Sequence, residues 1–78
     1  MTTEVDTVAV ETKKVIINQK LMVYRNTLYD ASLDVKIAKM LEDEAQEKAA
    51  TARMKPLLTA IEFLESELHT VEEKPEVT

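Results

Sequence analysis

Residues 17–38 read INQKLMVYRNTLYDASLDVKIA. Within them Ile17, Leu21, Tyr24, Leu28, Ala31, Val35 and Ala38 recur at spacings of four and three. An α-helix turns once in about 3.6 residues, so all seven fall on one face and form a coiled-coil-like seam. The same stretch holds Asp30, Ser32 and Asp34, residue types favoured at the position just before a helix begins. A break at 30–34 divides the chain into three short helices, whereas an unbroken seam leaves two longer ones. The seam crosses 30–34 without a change of phase, which favours a bend or a continuous helix over a turn.

Upstream, helix is expected from Thr7, with Asp6 as the N-cap. Val8, Val10, Val15, Ile16 and Ile17 are β-branched and have lower helix propensity, so the chain before Lys13 has an extended alternative. Downstream, Val35 to Arg53 is rich in alanine, glutamate, lysine and leucine, all good helix formers. Its expected stripe is Ile37, Leu41, Ala45, Ala49 and Ala52, with Met40 alongside. Alanines at that spacing let a second helix approach closely. Pro56 marks a second expected break, near 53–56. A proline inside a helix loses a hydrogen bond and clashes with the carbonyl four residues back, at a cost of about 3 kcal/mol. Either a new helix starts there or one helix kinks.

From Pro56 to Val71 the amphipathic pattern is plainest. Leu57, Ile61, Leu64, Leu68 and Val71 share a face that extends back to Met54 and Ala50, and Glu62, Glu65 and Glu67 lie off it. Leu58 and Phe63 flank the seam. Residues 1–6 and 72–78 read as polar, flexible tails around a single helical domain at 7–71. The expected class is all-α: a helical hairpin or a short three-helix arrangement with coiled-coil-like seams, assembled into a homo-oligomeric bundle.

Oligomerisation follows from size. A chain of 78 residues buries only about 60% of the surface it exposes when unfolded, and small chains add disulfides, a metal or a second subunit. There is no cysteine and one histidine, His69, which rules out a disulfide framework, thiolate zinc sites and multi-histidine metal sites. Val15, Ile16, Met22, Val23, Leu33, Met40, Leu58 and Phe63 lie off the main seams, too much apolar surface for one hairpin to shelter.

Charge is segregated. Residues 13–39 carry Lys13, Lys14, Lys20, Arg25, Lys36 and Lys39 against Asp30 and Asp34, and residues 56–78 carry six glutamates against Lys74. The basic first segment and acidic last segment are expected to lie side by side, within or between chains.

The chemistry that the chain lacks is equally informative. With no glycine, phosphate loops, dinucleotide fingerprints and EF-hand loops are excluded. Ser66, Glu65 and His69 share a helical face, but in a helix this rich in glutamate that is chance spacing and not a triad. A di-metal carboxylate site needs glutamate three residues before histidine, where Ser66 stands. The expected chain is therefore not an enzyme and takes no cofactor. No apolar run suggests a membrane span or a secretory signal, so a cytoplasmic protein with no membrane partner is expected.

The most unusual stretch is Tyr24-Arg25-Asn26-Thr27-Leu28-Tyr29, which holds two of three aromatics in the chain. Tyrosine and arginine are enriched at binding hot spots. Lys20, Tyr24, Arg25, Asn26, Tyr29 and Phe63 are the candidate interaction residues, with Tyr24 also a seam residue. The core or oligomer seam is assigned to Ile17, Leu21, Leu28, Val35, Ile37, Leu41, Met54, Leu57, Ile61, Leu64 and Leu68. The expected function is a small non-catalytic interaction or assembly module. It binds itself and another protein, in the manner of an accessory or viral-type inhibitor that holds a larger partner through a helix face. The alternative is an oligomeric binder of an anionic ligand or nucleic acid through the basic, tyrosine-bearing helix. The net charge of −5 weighs against it. No motif in the chain names a family.

Overall fold

The computed structural model describes residues 8–73. They form two α-helices packed antiparallel, α1 (Val10–Met40) and α2 (Glu44–Glu73), and no strand occurs among the described residues. At about 1.5 Å per residue each helix is roughly 45 Å long, so the molecule is a two-helix rod one layer thick. The three-helix alternative is not what the chain adopts. Of the tails expected at 1–6 and 72–78, residues 1–6 and 74–78 lie outside the described residues, as does the expected cap Asp6. The helix expected from Thr7 begins instead at Val10, and Val8 and Ala9 before it are not helical. Glu72 is still helical.

The seam that opens the sequence argument holds. Ile17, Leu21, Ala31 and Ala38 of α1 are buried, and Ala50, Ile61 and Leu64 of α2 face them. Tyr24, Leu28, Leu68 and Val71 pack around the large members, Ile17, Leu21, Ile61 and Leu64. Val35, Met54 and Leu57 are half-buried. Large side chains fill the open half of the hairpin and alanines fill the half near the turn. The β-branched run at Val15–Ile17 is helical, because burying Ile17 outweighs a few tenths of a kcal/mol of propensity.

α1 runs through 30–34 without interruption, and two of the candidate caps there are otherwise engaged. The Ser32 hydroxyl donates to the Tyr29 carbonyl at 2.6 Å, and the Asp34 carboxylate accepts from Arg53 of α2 at 2.6 Å. The chain instead reverses at Leu41–Asp43, a turn that the sequence reading does not place. Glu42 adopts φ 55°, the left-handed conformation that commonly ends a helix. The Asp43 N–H donates to the Ala38 carbonyl at 2.9 Å and the Glu42 N–H to the Lys39 carbonyl at 3.1 Å, which closes α1. The Asp43 carboxylate then accepts from the Gln46 N–H at 3.1 Å, and its carbonyl accepts from the Glu47 N–H at 3.0 Å, which opens α2.

That turn corrects one predicted stripe. Ile37, Leu41, Ala45, Ala49 and Ala52 straddle it and form no continuous face. Ile37 is 52% and Leu41 67% exposed, and the three alanines are exposed as well. The alanines that allow close helix approach are Ala31, Ala38 and Ala50, which continue the phase of the first seam. The break expected at 53–56 is likewise absent: α2 passes through Pro56. Pro56 and Ala52 are both on the exposed side of α2, where the carbonyl deprived of its partner can be hydrated.

Candidate interaction surface

The six candidate interaction residues do not form one site. Tyr24 is half-buried against the core. Arg25 donates to the Glu65 carboxylate at 2.8 Å across the two helices. Lys20 and Asn26 are exposed, and Tyr29 is 64% exposed. Phe63, 62% exposed, sits on the outer side of α2. At about 100° per residue, Tyr29 lies roughly 140° around α1 from Tyr24, and Phe63 points from the opposite edge of the rod.

One ion pair within the chain, Arg25–Glu65, joins the basic first segment to the acidic last one, whereas Arg53–Asp34 has the opposite polarity and lies nearer the turn. Lys14 is instead 3.6 Å from Glu11 in its own helix, and Lys39 lies at 4.0 Å from Glu47. Exposed pairs of this kind are worth about 0–1 kcal/mol each, so they orient the helices more than they hold them together.

A feature that the sequence reading missed is the ordering of the off-seam apolar residues of α1. Val15, Gln19, Met22, Asn26, Tyr29, Leu33, Ile37 and Met40 recur at intervals of four and three. They lie roughly 160° around α1 from the buried seam. None is charged, and all are exposed. Met22 is 58% and Met40 85% exposed. The signal was the same periodicity as the first seam, half a turn out of phase, and only a decision about which seam faces α2 separates the two. On α2 the outward positions Ala45, Ala49, Ala52, Pro56, Thr59 and Phe63 are also uncharged and exposed, though mostly small.

Little else on the rod concentrates chemistry. The groove beside Ile16, Gln19, Lys20, Val23 and Tyr24 is open to solvent. Glu65, Ser66 and His69 are all exposed, and Glu65 is committed to Arg25. In the acidic run near the turn, Asp43 is occupied as a cap, and no group of three potential metal ligands occurs among the described residues. No described helix is long and apolar enough to cross a membrane. No protein-family model, no curated protein and no solved structure matches the chain.

Proposed function

We propose that this chain is a small, non-catalytic protein–protein interaction and assembly module that acts in the cytoplasm. One observation carries the proposal: among the described residues eleven large apolar side chains are exposed on a single copy, while only Ile17, Leu21, Ile61 and Leu64 are large and buried. Single exposed hydrophobes are ordinary, but a contiguous apolar stripe along a helix marks a surface that is covered when the protein works. Self-association covers it first, and a larger protein held through the same kind of helix face is the second occupant of this class.

The alternative reading, an anion or nucleic-acid binder, loses support from the ion pairs that occupy Arg25 and Lys14. The test is sedimentation equilibrium of the native chain. A mass of at least twice 8.9 kDa is expected. A single-chain mass at tens of micromolar overturns the proposal.

A further inference from the structure

We infer that the outward stripe of α1 is covered by the same stripe on a second copy, laid antiparallel about a twofold axis near Thr27 and Leu28. The inference rests on the assembly reading above and specifies its surface and geometry.

The stripe is built like a packed seam and unlike a solvated face. Its eight positions carry no charge in a chain that is 32% charged. Arg25 and Lys36 border it on one side and Asp30 on the other, so the charges form a rim around an uncharged centre.

A twofold antiparallel alignment gives the large stripe positions suitable opposites. Val15 meets Met40 of the second copy and Met22 meets Leu33 of the second copy, and each contact repeats across the axis. Ile16 meets Ile37 of the second copy along the edge. At the centre, the Asn26 amide comes opposite the Tyr29 hydroxyl of the second copy, a donor–acceptor match made twice. A polar pair at the centre of a largely apolar seam selects register, since a slip buries it against hydrocarbon. No like charges are brought together: Arg25 falls beside Ser32 and Asp30 beside Val23 of the second copy. A parallel alignment would instead bring the border that carries Arg25 and Lys36 against the opposite border of the second copy, which holds Asp30. The pair this forms, Arg25 with Asp30, would compete with the 2.8 Å contact that Arg25 already makes to Glu65. The antiparallel order also opposes the helix dipoles.

The area suffices. Val15, Ile16, Met22, Tyr29, Leu33 and Ile37 are 36–64% exposed and Met40 85%. Covering about 60 Å² on each of these side chains gives roughly 400 Å² of apolar surface per copy. With a polar rim in the usual proportion the interface totals about 1,300 Å², at the lower end of stable complexes.

The chain has no cysteine, so introduced thiols report position without background. Met22→Cys and Leu33→Cys variants are oxidised separately and as an equimolar mixture. An antiparallel pair yields a disulfide-linked product of twice the chain mass in the mixture, where position 22 faces position 33 within disulfide reach, and little in either variant alone. Efficient cross-linking of Met22→Cys with itself overturns the inference in favour of a parallel pair. Absence of any cross-link, while the same variants sediment as dimers, overturns the stripe and leaves assembly through another face. Sedimentation of both the variants and the native chain as single copies overturns both this inference and the assembly reading.

Discussion

The turn depends on two adjacent acidic residues that act in different ways. Glu42 holds a left-handed backbone in which its Cβ crowds the following carbonyl, a conformation that costs a non-glycine residue about 1–2 kcal/mol. Glu42→Gly removes that strain without touching the core. Thermal unfolding should shift upward by about 4–8 °C for each kcal/mol recovered. An unchanged midpoint would mean that the closing hydrogen bonds do not require φ 55° at this position. Asp43 is the opposite case, since its carboxylate satisfies an otherwise orphaned N–H at Gln46. Asp43→Ala is expected to cost about 1 kcal/mol, read in the same melting experiment. The sequence carried this signal: Asp43 stands three residues before Gln46, the spacing of a helix start, and a glycine-free chain has to end its helices with acidic or amide residues. Asp30, Ser32 and Asp34 advertised the same chemistry more loudly, and nothing local showed that Ser32 and Asp34 bond elsewhere.

Each helix overrides a local preference, and each override has a tertiary cause. In α1 the β-branched run is held by the burial of Ile17 and Leu21. Leu21, only 1% exposed, is the largest fully buried side chain. Leu21→Ala should cost about 2–5 kcal/mol. With only four large residues in the core, that loss is expected to abolish a cooperative thermal transition, followed by far-UV circular dichroism. In α2, Pro56 interrupts the helical hydrogen bonds on the solvent side, where the carbonyl left without a donor is open to hydration. Pro56→Ala restores the donor at a site with no tight neighbours. It should stabilise the fold by on the order of 1–3 kcal/mol with a gain in helicity. A destabilised variant would show instead that the proline shapes α2 to fit α1. The sequence located Pro56 as a point of stress but could not say whether the helix yields, because that depends on whether the freed carbonyl faces water or the core.

For the molecule as a whole, the hairpin has two seams on α1 and only one partner helix to cover them. If a second copy covers the outer seam, stability is linked to concentration, and the melting midpoint should rise as the protein concentration is raised. Leu33→Asp places a charge on the outer stripe and away from the hairpin core. It is expected to reduce the sedimenting mass to that of one chain and to remove the concentration dependence of melting. Persistence of both would show that another surface assembles the protein.

By itself the sequence determined that the chain is helical and that its buried seam runs from Ile17 to Ala38 and from Ala50 to Val71. Those properties follow from residue type and 3.6-residue periodicity, which are local. Only the tertiary structure decided where the chain turns and which of two apolar stripes on opposite sides of α1 faces α2. Turn position depends on how much of the seam on each side of a potential cap the other half of the chain can bury, and the choice of face depends on what α2 can cover. Both are contests between parts of the chain far apart in sequence, and periodicity alone carries no information about their outcome.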